Sequence, residues 1–146
     1  MILYLDASAL VKRYIVESGS TAVANLIQQA TFVGTAAISR AETVAALAEA
    51  TCVGALLRAD AYLAAQQFRA HWPSIIRLQT TEAVIARADA LAWELGLRGY
   101  DAVHLATALI WQEEMAQSII LATFDRQLWT AAAQSGITPF PNEPIH

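Results

Sequence analysis

A chain of 146 residues is long enough to bury a core without disulfide or metal staples, and at 56% hydrophobic and 15% charged residues it is greasier than typical soluble domains, which run at about 45–50% and about 25%. The net charge of −4 excludes a general attraction to polyanions, so a nucleic acid would have to be gripped locally. A single cysteine, Cys52, excludes an internal disulfide and suits a reducing cytoplasm.

The length predicts one domain over residues 1–146, and the excess of apolar residues predicts surface for a partner or a second copy to cover. The apolar run at residues 2–5 reads as a strand, and Asp6 stands where it stops. That charge comes too early, with no basic lead before it, for a secretory signal. Residues 18–39 are uncharged over nearly the length of a membrane span, but Asn25, Gln28 and Gln29 lie within them, so no transmembrane helix is expected. A second strand is predicted over 32–37. Ser39, with Glu42 three residues on, has the spacing of a capping box and opens a helix over 40–50. Cys52 reads as a small buried hydrophobe. Residues 58–72 read as a helix closed by Pro73, followed by a strand over 75–78. Thr80 or Thr81 starts a helix with Val84, Ala88, Leu91 and Leu95 on one face, and Gly96 ends it. Asp101 begins another, through Val103, Leu105, Ala106, Leu109 and Ile110. A strand over 119–122, a short helix from Asp125 to near Gly136 and a weak strand over 137–140 complete the chain. Trp72, Trp93, Trp111 and Trp129 sit at helical spacing and read as core or dimer packing rather than base-stacking platforms. Strands alternating with helical segments predict an α/β fold, a parallel sheet of four to five strands covered by helices.

In such sheets ligands bind beyond the carboxyl ends of the strands. Asp6 and Asp125 each follow a predicted strand, while Asp101 and Glu42 open or enter the first turn of helices. Each acid alone could be a helix cap, contributing about 1 kcal/mol; together they read as a catalytic site. Carboxylates within about 4–6 Å disfavour one another's ionisation, so a cluster calls for a cation. An oxygen-only donor set favours Mg²⁺ or Mn²⁺ over zinc. His104, three residues after Asp101, reads as a packed or supporting residue rather than a ligand. Glu49 shares a helix face with Glu42 but lies about 10 Å farther along the axis; Glu17, Glu113 and Glu114 read as surface charge. Ions held by such acids lower the pKa of a bound water and stabilise a departing 3′ oxygen, chemistry suited to phosphodiester hydrolysis. Of the nine Lys and Arg residues, Lys12, Arg13, Arg40, Arg98 and Arg126 lie near these acids in sequence, where cations could meet backbone phosphates.

Four segments, YLDASALVKRY (4–14), SRAETVAALA (39–48), LRGYDAVHLATAL (97–109) and LATFDRQLWTAAAQSGI (121–137), resemble in order, and over essentially the whole chain, the conserved blocks of PIN-domain proteins, specifically the VapC-type toxins of toxin–antitoxin pairs. The resemblance implies a three-layer α/β/α fold and a cytoplasmic Mg²⁺- or Mn²⁺-dependent endoribonuclease. It assigns Asp6 and Asp101 as principal metal-ligand acids, Glu42 and Asp125 as further acids of the site, and Ser8 and Thr123 as supporting hydroxyls. Residues 53–72 would form a variable helical clip. It further implies an RNA substrate, a homodimer, and a cognate antitoxin that inserts a basic side chain into the acidic cleft. An aspartyl-phosphate phosphatase also carries an Asp after its first strand, but it wants a second Asp two residues on, where Ser8 stands. A catalytically silent binding module of the same fold would have lost acids, and all four are present.

Overall fold

Side chains along a strand alternate between the two faces of its sheet, and the first strand buries both. In the computed structural model, which describes residues 1–145, β1 (Ile2–Leu5) is buried throughout. Ile2 and Tyr4 point into one apolar cluster, Leu3 and Leu5 into another. Burial on both faces is what a central parallel strand requires. β1 is the middle of five parallel strands, with β2 (Phe32–Ala36), β3 (Ile76–Leu78), β4 (Ile119–Ala122) and β5 (Thr138–Phe140) in the order β3-β2-β1-β4-β5. In register, Leu3 lies beside Val33 on one flank and Ile120 on the other.

Among the described residues, seven α-helices cover the sheet. α1 (Ala7–Leu10), prolonged by a 3₁₀ turn over Val11–Arg13, α2 (Ser20–Gln29) and α4 (Arg58–His71) bring Leu10, Val23 and Phe68 to the Leu3 and Leu5 face. α5 (Glu82–Leu95), α6 (Gly99–Met115) and α7 (Arg126–Gln134) bring Val84, Leu105 and Leu128 to the Tyr4 face. α3 (Ser39–Cys52) follows β2 and packs against α4 and α1. The three-layer α/β/α arrangement is the predicted class. From β1 the chain winds to β2 and β3 on one side, then returns to β4 and β5 on the other. The winding therefore reverses between β1 and β4, the crevice where open α/β sheets bind ligands.

Three local expectations are corrected, for Ser39, Asp101 and Cys52. The Ser39–Glu42 capping box does not form: α3 starts at Ser39 itself without a side-chain cap, and the buried Ser39 hydroxyl lies 2.7 Å from that of Thr35. α6 begins at Gly99, so Asp101 is the third residue of its first turn rather than its start. Cys52 is exposed, because the buried stripe of α3 runs Ser39, Thr43, Leu47 in steps of four and Cys52, five beyond Leu47, falls off it. Trp72 and Trp111 are buried, but Trp93 is 91% exposed, standing two residues past Leu91 and hence off the buried face of α5. Residues 18–39 hold α2 and β2, and among the described residues no helix is long and apolar enough to cross a membrane.

Gly34 of β2 lies under the Trp111 ring, and a Cβ there would stand 2.7 Å from its Cη2 atom. Gly34→Ala is expected to destabilise by about 1–3 kcal/mol through overpacking. Trp111→Phe, which removes the ring atoms in the way, should recover part of that loss in the double variant, as read by thermal unfolding.

Candidate active site

The crevice between β1 and β4 carries a cleft of about 230 Å³ lined by Asp6, Ser8, Glu42, Asp101, His104 and Asp125. The four predicted acids, from four distant parts of the chain, are thus brought to one place. Asp6 and Asp101 are buried, at 4% and 2% exposure, while Glu42 and Asp125 keep 29% of their side chains exposed at the mouth.

Asp6 is both a helix cap and part of the cleft. Its Oδ1 accepts the Ala9 N–H of α1 at 3.0 Å and the Ser8 hydroxyl at 2.7 Å, and its Oδ2 accepts the Thr123 hydroxyl at 2.6 Å. Ser8 and Thr123 are tied in turn to the loop after β4, where the Phe124 N–H donates to Ser8 Oγ at 2.8 Å and the Asp125 N–H to Thr123 Oγ1 at 3.1 Å. Burial pushes the Asp6 carboxyl above its ordinary pKa, opposed by nearby His104 and by the Thr123, Ser8 and Ala9 bonds. Asp125 divides its oxygens in the same way: Oδ1 caps α7 by accepting the Leu128 N–H at 3.0 Å, and Oδ2 turns toward Arg98.

Arg98, at the start of α6, forks across two acids. Its Nε donates to Asp101 Oδ2 at 2.8 Å and its Nη2 donates to Asp125 Oδ2, and the guanidinium carbon lies 5.0 Å from the Tyr100 ring centroid. Those hydrogen bonds, to Asp125 first and then Asp101, raise the guanidinium pKa further above its ordinary value. Asp101 is nonetheless shifted upward, by burial first and then by the Asp125 charge, with Arg98 opposing. Glu42 takes a different partner: His104 Nε2 lies 2.7 Å from its Oε1.

The donor set suits a hard divalent cation, since the carboxylate and hydroxyl oxygens prefer Mg²⁺ or Mn²⁺ to softer metals. The fold itself places a cation between two of these acids, in the form of the Arg98 guanidinium. As the side chains stand, no three His, Cys, Asp or Glu residues converge closely enough to hold a metal, among the described residues. Asp101 and Asp125 are drawn to Arg98 and Glu42 to His104, so metal binding requires carboxylates to exchange partners.

Of the other predicted cations, Lys12 is engaged elsewhere: its ammonium donates to Glu17 Oε1 and the Ser18 carbonyl, each at 2.8 Å, and lies 4.4 Å from the Phe124 ring centroid. Arg13 sits beside Tyr14 at 5.9 Å, and Arg40 and Arg126 are exposed; none of these four lines the cleft. Sequence reasoning overlooked Tyr100, which lines the cleft beside Arg98, and Tyr4, whose hydroxyl lies 2.7 Å from His104 Nδ1. The only signal of Tyr4 was a hydroxyl within an otherwise aliphatic buried strand.

The PIN domain family profile matches residues 3–133. Ribonuclease VapC49 of Mycobacterium tuberculosis (strain H37Rv) is 31% identical over 140 residues, spanning 96% of this chain and 95% of that protein. Among solved structures, PAE2754 from Pyrobaculum aerophilum superposes with a TM-score of 0.66 at 21% identity, over 95% of this chain and 89% of that one. A toxin–antitoxin complex from Klebsiella pneumoniae superposes with a TM-score of 0.64 at 17% identity, over 99% and 100%. These two likenesses concern the fold.

A carboxyl whose folded-state pKa is raised is most favourable when protonated, so its ionised form weakens the fold as pH rises from the unfolded value, near 4, through the raised one. Asp101→Asn keeps an acceptor for Arg98 and removes the charge. Its melting temperature is expected to exceed that of the unsubstituted protein at pH 7, with the gap closing as the pH falls to about 4; a deficit at pH 7 would contradict the burial argument.

Proposed function

This chain belongs to the PIN-domain family, and from that premise we propose that it is a VapC-type toxin, an endoribonuclease that hydrolyses RNA phosphodiester bonds with the help of Mg²⁺ or Mn²⁺. The observation that carries the reading is the convergence of Asp6, Glu42, Asp101 and Asp125 on one cleft at the sheet's switch point. A relative named as a ribonuclease, aligned over nearly its full length, supports it.

In this reading the four acids hold the ion, with Ser8 and Thr123 fixing the Asp6 carboxylate by hydroxyl bonds to both of its oxygens. Bound there, a divalent ion would supply an ionised water near neutral pH and stabilise charge on the leaving oxygen. Arg98 competes with that ion for Asp101 and Asp125, and an Arg98 side chain released from them is a cation at the edge of the cleft, where a phosphate arrives. Arg126 stands exposed beside Asp125 and serves the RNA backbone. A cognate antitoxin is the proposed protein partner, a role supported by the toxin–antitoxin complex among the fold neighbours. A second copy of the chain is proposed to cover apolar surface such as Trp93, and the cytoplasm is the proposed compartment.

With purified protein, total RNA and Mn²⁺, cleavage is expected, and EDTA should abolish it. Asp6→Asn should lower the rate by more than about 100-fold, the lower end of what a positioned acid–base group contributes, while circular dichroism remains that of the unsubstituted protein. Cleavage that persists in the variant or in EDTA would overturn the metal-dependent reading. Arg126→Ala is expected to weaken RNA binding at low salt and to have little effect at 1 M, where the Debye length falls to about 3 Å. Equal weakening at both would assign Arg126 to packing instead.

A further inference from the structure

A chain of hydrogen bonds runs from the middle of the sheet to the mouth of the cleft. Tyr4 Oη lies 2.7 Å from His104 Nδ1, and His104 Nε2 lies 2.7 Å from Glu42 Oε1. The two rings meet edge to face, at 76° with centroids 5.9 Å apart, and both residues are buried, at 0% and 2% exposure. Glu42 is otherwise the least constrained of the four acids. Asp6 and Asp125 cap helices and Asp101 holds Arg98, whereas the Glu42 carboxylate has, among the described residues, His104 as its hydrogen-bond partner.

The donors and acceptors in this chain can be assigned. An ionised carboxylate only accepts, so the nitrogen facing Glu42 carries a hydrogen. At the other end, a phenol keeps its proton at neutral pH, so the Tyr4 hydroxyl, 2.7 Å from the nitrogen, donates to Nδ1. A histidine's tautomer is set by what its second nitrogen bonds. Here that group is a rigid tyrosine in the central strand.

We infer that Tyr4 and His104 are positioning residues for Glu42: the Tyr4 hydroxyl fixes His104 as its Nε2–H tautomer, and that N–H holds the Glu42 carboxylate at the cleft. The consequence for metal rests on reading Glu42 as a cation ligand, while the tautomer does not. Packing alone would not require the hydroxyl, since a phenylalanine fills the same space.

Nitrogen NMR of the metal-free protein at one neutral pH reads the tautomer directly. The unsubstituted protein is expected to show a hydrogen on Nε2 and a bare Nδ1, and Tyr4→Phe a mixture of the two tautomers. By calorimetry, Tyr4→Phe should weaken Mn²⁺ binding about tenfold, the low end of the loss seen when a supporting partner of a metal ligand is removed. In a His104→Gln background, where a side-chain amide can still donate to Glu42, Tyr4→Phe should cost no further affinity. A hydrogen on Nδ1 in the unsubstituted protein overturns the inference, as does a Tyr4→Phe variant that binds Mn²⁺ normally while Glu42→Gln binds it weakly. Failure of the unsubstituted protein to bind Mn²⁺ overturns the functional reading instead, and the wild-type tautomer tells the two failures apart.

Discussion

An ionised carboxylate taken out of water is costly unless fixed donors or a cation replace its hydration, and this fold takes two of them into one crevice. Asp6 meets the cost with three donors: a helix N-terminal amide and two hydroxyls. Asp101 meets it with an arginine that also serves Asp125. Much of the surrounding architecture follows from this requirement. β1 and β4 must be neighbours for Thr123 to reach Asp6, and α1 must start at once after β1 for the Ala9 amide to point back. The loop after β4 must also fold onto Ser8, which it does through the Phe124 amide.

Capping and site formation, which look like alternatives for an acid at a helix start, are the same interaction here. A carboxylate has two oxygens, and in Asp6 and Asp125 one is committed to the helix while the other is aimed elsewhere. The cap therefore fixes the rotamer of the group that the cleft uses, and the helix dipole favours its charge. This pre-organisation comes at little entropic cost, because the residues involved are already ordered by helix initiation.

The strands and the two strand-end acids were legible because apolar runs and the charges that end them are local signals. Thr81 and Gly96, at the two ends of α5, carried the same kind of local information. What was not legible depends on where side chains point in three dimensions. Ser39 has the spacing of a capping box, yet its hydroxyl is claimed by Thr35 across the β2–α3 turn. Arg98 is near Asp101 in sequence, but its second carboxylate belongs to Asp125, 27 residues away. Cys52 and Trp93 are residues of buried types that helical phase turns outward. Tyr4 was indistinguishable from its aliphatic neighbours, since alternation shows which face a side chain takes and not which partner waits there.

The partners of the four acids differ in exposure, and this divides the cleft. Asp6 is held by backbone and by hydroxyls anchored to the loop, and Glu42 by a histidine with 2% exposure wedged against the central strand. The donors to both are fixed in the fold, while the Glu42 carboxylate itself is 29% exposed at the mouth. The Arg98 side chain is 45% exposed and sits at a helix start, so water reaches it, whereas its partner Asp101 is 3% exposed and would be left a buried, unpaired charge if the arginine swung away. Arg98 is thus the exposed partner in the cleft, shared by Asp101 and Asp125, while the donors to Asp6 belong to the α1 backbone, Ser8 and Thr123. In a chain with only 15% charged residues, Arg98 thus sets one positive charge against two of the four acids, and neutral or backbone donors meet Asp6.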